Sequence, residues 1–145
     1  MAESTPGGRV LGLDYGSHRI GVAVSDPLGI TAQPLPALHR EGNRKDIAGI
    51  GRLIAGLGVD SVVVGLPLLL NGDEGPQAER ARSFGDMLSA ELSLPVTMWD
   101  ERLTTAQSER HLIDSGVRRE RRKEIRDSLS AMILLQSFLD LRNRK

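Results

Sequence analysis

Residues 61–66 read S-V-V-V-G-L, a continuous apolar run. Its length and valine content suit a strand at the centre of a sheet, buried on both faces. An amphipathic pattern precedes it over 43–57, where Ile47, Ile50, Leu53, Ile54 and Leu57 recur at helical spacing and Asn43 stands ready to cap the first turn. After it come a Gly/Pro/Asn loop at 67–75, a second helical pattern at 76–92 and a short strand at 96–99. Strands joined through helices are parallel, because a parallel partner is reached only by a crossover.

Ahead of this unit, residues 9–15 and 19–25 are β-branched or aliphatic runs separated by Gly16-Ser17-His18, a hairpin signal. A third strand is expected over 31–38, demoted to a sheet edge by Pro34 and Pro36. A helix opening at Thr104 or Thr105 stops at Ser115-Gly116, and a last helix spans 119–140. The fold class is therefore α/β: a mixed five-stranded sheet, three antiparallel strands then two parallel, with helices on both faces. At 145 residues the chain has room for one core. That single domain is placed at 9–140, between a mobile N-terminal tail, 1–8, and a C-terminal tail, 141–145.

Cysteine is absent, which excludes disulfides, thiolate zinc sites and a cysteine nucleophile. The first residues have neither the basic nor the apolar segment of a signal peptide, and no apolar run approaches the ~20 residues of a membrane helix. A cytoplasmic protein with no membrane partner is the expectation. The formal net charge is zero, but it is unevenly spread. Between residues 116 and 126, Arg118, Arg119, Arg121, Arg122, Lys123 and Arg126 face only Glu120 and Glu124. Such a patch suits a phosphate backbone, although charge runs are usually solvated helix faces.

Three acids carry the chemistry. Asp14 shares a strand face with Val10, Gly12 and Gly16, so glycines are expected to leave open space beside it. Turn capping is the plain alternative. Glu101 follows the strand at 96–99, at the carboxyl edge where open α/β sheets bind ligands; a solvated loop acid is its alternative. Asp127 shares a helix face with Ala131 and Leu134 at the head of an apolar helix, where it needs a partner or a metal. Asp14 and Glu101 are expected to project from neighbouring parallel strands, with the last helix laying Asp127 against the same edge. Carboxylates so close repel by about 4 kcal/mol per pair at 4 Å and an effective dielectric of 20. A divalent cation removes that cost, and an all-oxygen donor set favours Mg²⁺ or Mn²⁺.

The segments L-G-L-D-Y-G-S-H-R-I-G-V-A-V-S-D, V-V-G-L-P-L-L-L-N-G-D-E-G, W-D-E-R-L-T-T and R-D-S-L-S-A-M-I-L-L-Q-S-F-L, in this order, resemble the YqgF family. The likeness runs from about residue 9 to 139. Members are described as Holliday-junction resolvases or pre-16S rRNA nucleases. The resemblance implies a ribonuclease H-like fold, a bacterial cytoplasmic setting and a nuclease site whose acids map onto Asp14, Glu101 and Asp127. It implies a nucleic-acid partner, a structured RNA precursor or branched DNA, without choosing between them.

The expected activity is phosphodiester hydrolysis assisted by two cations, with Asp14 as the bridging ligand and Glu101 and Asp127 on either side. Arg19, Arg102, Arg118, Arg119, Arg122 and Arg126 are candidate phosphate contacts. Gly65, Pro67, Asn71 and Gly72 form a candidate substrate loop. Thr104 and Thr105 are candidates to position Glu101 or bind phosphate, with a helix cap as the plain alternative, and His18 is a candidate for proton transfer, though a hairpin-tip histidine is more often merely solvated. Two other classes compete: an actin-like or sugar-kinase ATPase half, testable by Mg-ATP calorimetry, and a non-catalytic nucleic-acid-binding factor on an inert nuclease fold. The oligomer is expected to be a monomer or a homodimer.

Overall fold

Strand β1 (Val10–Tyr15) lies at the centre of the sheet. β2 (Arg19–Ser25) pairs with it antiparallel, and β3 (Ala32–His39) pairs antiparallel with β2. On its other side β1 pairs with β4 (Ser61–Leu66) in parallel, and β4 with β5 (Val96–Asp100) in parallel. The order is β3-β2-β1-β4-β5. The computed structural model describes residues 8–103 and 119–144, and side chains outside 119–127. Helix α1 is Asn43–Leu57, α2 is Pro76–Leu92, and α3 is Arg119–Asn143. A single 3-10 turn, Glu101–Leu103, follows β5. The helix expected from Thr104 or Thr105 lies outside the described residues.

The period-two alternation of the strands divides the core. Leu11, Leu13, Ile20, Val22, Val24, Val62 and Val64 point to one face, where Ile47 and Ile50 of α1 and Phe84 and Leu88 of α2 cover them. Val10, Ala23 and Val63 point to the other, beneath Ala131, Met132, Leu135 and Leu139 of α3. Helices therefore cover both faces, and β4 is buried throughout except at Ser61. β3 is an edge strand, as its prolines require.

Two boundaries differ from expectation. The last helix runs to Asn143, because Arg142 and Asn143 both donate to the Gly29 carbonyl and hold its end on the β2–β3 loop. The C-terminal tail begins correspondingly later. Asn43 is not the cap of α1: Gly42 takes that place with no side-chain bond. The Asn43 carboxamide oxygen instead accepts from the Tyr15 hydroxyl at 2.8 Å and from Arg40 Nη2 at 2.6 Å.

Candidate functional site

Asp14 is the penultimate residue of β1, on the face covered by α3. Glu101 comes immediately after β5. Their strands are not neighbours, contrary to the sequence expectation: β4 runs between them. At about 4.8 Å per strand spacing, β1 and β5 are ~10 Å apart. The two carboxyls nevertheless hydrogen-bond to each other. They meet because the β4 residue beneath them is Gly65. A Cβ there would stand 2.9 Å from Glu101 Oε1 and 3.1 Å from Leu134 Cδ2. Gly65 thus belongs to the strand rather than to the loop after it, and its missing side chain is the space that the Glu101 carboxylate occupies.

Gly12 also differs from its sequence reading. It leaves no open channel beside Asp14: a Cβ at Gly12 would meet Leu135 Cβ at 2.9 Å and the Ala131 carbonyl at 3.3 Å. Its role is to let the α3 backbone approach the sheet. Ala131 and Leu134 of α3 consequently rest on Gly12 of β1 and Gly65 of β4.

The paired acids are electrostatically strained. Burial, then the charge and hydrogen bond of Asp14, with a further push from Asp100, raise the Glu101 carboxyl to about 7. Burial also raises Asp14, against the lowering effect of its bond to Glu101. At neutral pH such a pair shares a proton. Two carboxylates in a half-buried setting, with no thiol or imidazole between them, suit a hard oxygen-seeking cation. Among the described residues no group of three metal-ligating side chains assembles. The Asp127 position lies in α3, but its side chain is outside the described set.

A cavity of about 580 Å³ opens beside Asp14, lined by Gly16, Ser17, His18, Arg19, Gly21 and Ser130. Arg19 is therefore at the site, exposed, on the same sheet face as Asp14. His18 lines the same cavity. Among the described side chains of α3, Ser130, which sequence reasoning passed over, reaches it; its place three residues after Asp127 was the available signal.

Sequence reasoning also missed Arg40, which clamps the hairpin that forms one wall. Its Nη1 donates to the Gly16 carbonyl at 2.9 Å, and its backbone N–H donates to the His18 carbonyl at 2.9 Å. Its guanidinium lies 4.4 Å from the Tyr15 ring centroid and pairs with the buried Asp46 at 2.6 Å. An arginine after an edge strand carries no local sequence signal for this.

Arg102 grips Asp100 through its Nε and Nη2, at 2.8 Å for the closest contact. Its guanidinium also lies against Gly72, so the 67–75 loop approaches the site through that residue. Asn71 folds the loop tip by accepting the Asp73 backbone N–H at 3.0 Å, and Gly72 holds φ +90. Pro67 begins the loop directly after β4. Arg118 lies outside the described residues, and Arg119, Arg122 and Arg126 lie in the first part of α3, their side chains outside the described set.

A mixed sheet in the order β3-β2-β1-β4-β5, antiparallel then parallel and backed by a long final helix, is a ribonuclease H-like fold. The fold is shared with Thermus thermophilus RuvC in complex with Holliday junction substrate, at a TM-score of 0.64 and 14% identity, covering 95% of this chain and 98% of that one. It is shared too with the fowlpox virus resolvase bound to Holliday junction DNA, at 0.57 and 10% identity, covering 94% and 99%. Residues 8–141 match the RuvX family, described as Holliday junction resolvase, and the chain belongs to that family. A Pelotomaculum thermopropionicum relative named "Putative pre-16S rRNA nuclease" is 46% identical, over 94% of this chain and 89% of its own length. A Listeria monocytogenes relative of the same name is 46% identical over 93% and 99%.

Proposed function

We propose that this protein is a divalent-cation-dependent nuclease acting on the precursor of 16S rRNA. The observation that carries the reading is the meeting of Asp14 and Glu101 across Gly65, in a chain of a resolvase and nuclease family. The RNA substrate is favoured by the name shared by relatives at 46% identity. Branched DNA is the second reading, favoured by the family description.

Asp14, Glu101 and Asp127 are the residues that would hold Mg²⁺ or Mn²⁺, two ions with substrate bound. The helical stripe through Leu134 and Ala131 leads, one turn further, to residue 127. The cation supplies Lewis-acid polarisation of the phosphate and a water of lowered pKa. Asp14 and Glu101 position that chemistry against the scissile phosphate, and must give up their shared proton to do so. Arg19, Arg102 and the basic head of α3, from Arg118 through Arg119 and Arg122 to Arg126, neutralise the flanking phosphates. Pro67, Asn71 and Gly72 bring the backbone of the 67–75 segment to the substrate, while Gly65 of β4 makes room for Glu101.

Among the described residues no helix is long and apolar enough to cross a membrane; the setting proposed for the nuclease is the cytoplasm. Cutting two strands of a junction symmetrically calls for a homodimer, whereas trimming one RNA strand is compatible with a monomer.

The test is a cleavage assay of purified protein in Mn²⁺, offering precursor 16S rRNA and four-way DNA junctions side by side. Cleavage is expected, and Asp14→Asn should abolish it while leaving the circular dichroism unchanged. Binding without turnover in either metal would instead favour a non-catalytic nucleic-acid-binding factor.

A further inference from the structure

The ladder between β2 and β3 is interrupted beside the site. Ile20 stands opposite Leu38 and Val22 opposite Leu35, so Pro36 and Ala37 of β3 face the single residue Gly21. At this irregularity the hydroxyl of Ser128, fully buried, enters the sheet from α3. It accepts the Val22 backbone N–H at 3.0 Å and donates to the Leu35 carbonyl. A helix side chain thus takes the place of a strand-to-strand hydrogen bond.

The location matters. Gly21, next to Val22, is the cross-strand partner of Asp14. Ser128 directly follows Asp127 in the chain. The hydroxyl therefore ties the residue next to one proposed acid to β2, the strand that pairs with the one carrying another. A second splice of the same kind lies two turns further along α3. The Gln136 carboxamide accepts the Ala32 N–H at 2.9 Å and donates to the Ile30 carbonyl at 3.0 Å. Both bonds fasten α3 to the sheet, but only the first adjoins an acid of the site.

We propose that Ser128 is a positioning residue that sets Asp127 against Asp14 through its bridge between Val22 and Leu35. The inference rests on the reading of Asp127 as the third acid. Helix α3 can pack on Gly12 without the hydroxyl, but apolar packing is non-directional and does not by itself orient the residues at the head of the helix. A directional hydrogen bond to a fixed strand N–H removes that freedom, and a cation site tolerates little of it.

The test compares Mn²⁺ binding, by calorimetry, to the wild-type protein and to Ser128→Ala, Gln136→Leu and Asp127→Asn. Ser128→Ala should weaken Mn²⁺ at least tenfold. Gln136→Leu, which also removes bonds between α3 and the β3 region, should change it less than twofold even where the two melt at similar temperatures. Equal effects of the two variants, with Asp127→Asn abolishing binding, would overturn the positioning role alone. Wild-type affinity in Asp127→Asn would overturn the site reading and this inference together.

Amide exchange in the wild-type protein gives a readout that does not depend on any variant folding. Mn²⁺ should slow the Val22 amide, held by Ser128, more than the Ala32 amide, held by Gln136. Equal slowing would count against the proposal.

Discussion

Gly65 matters for the side chain it lacks. Two carboxyls from strands ~10 Å apart converge over it, and Glu101 Oε1 fills the position that a Cβ would crowd at 2.9 Å. Substituting Gly65→Ala should displace Glu101 and press on Leu134 at once. The expected cost is about 1–3 kcal/mol of stability from overpacking, read by denaturant unfolding. On the proposed role of Glu101, the expected loss of cleavage is larger in proportion, on the order of a hundredfold, because a small misplacement at a reacting centre is felt steeply. A variant that lost stability but kept its turnover would show that the glycine serves packing only. Gly12 offers the contrast: its Cβ would meet the Ala131 carbonyl, a backbone atom unable to yield without moving α3.

At the scale of elements, the β1–β2 hairpin is held from behind by a buried ion pair. Asp46 is 4% exposed and accepts from Arg40 Nε and from the Glu41 backbone N–H. Arg40 in turn holds Gly16 and His18, two of the residues lining the cavity beside Asp14. Replacing Arg40→Leu leaves a buried carboxylate without its partner, at an expected cost of about 3–5 kcal/mol. The double variant Arg40→Leu, Asp46→Leu should recover much of that, because no orphan charge remains. Unfolding midpoints of the two proteins check this, and a double variant no more stable than the single one would contradict it.

At the scale of the molecule, the acid pair links stability to pH. The folded-state pKa of Glu101 is raised from 4.5 to about 7, so between those values the folded protein holds more of its proton than the unfolded chain does. Stability from this group is present at low pH and declines as pH rises through 7. The metal-free protein should therefore melt at a lower temperature at pH 8 than at pH 6, and Glu101→Gln should flatten that slope and raise the melting temperature at pH 8. Mn²⁺ should reverse the loss and release protons on binding near pH 6, measured by calorimetry in buffers of different ionisation enthalpy. The proposed arginine contacts predict that binding to nucleic acid weakens steeply as salt is raised, with a slope of roughly one per phosphate neutralised.

Much of the architecture follows from local pattern alone. The valine run at β4, the helical spacing of α1, the proline-marked edge strand β3 and the apolar length of α3 each dictate one element through side-chain periodicity, which is a property of consecutive residues. Asp14 and Glu101 were also legible as candidates, since each stands at the end of a recognisable strand. What only the tertiary structure decided is how they meet: across an intervening strand, through the space left by Gly65, with Gly12 admitting the helix and Arg40 and Ser128 fastening the surroundings. Such relations join residues far apart in the chain. Periodicity decides which way a side chain faces, but only the packed strand order decides what stands opposite it.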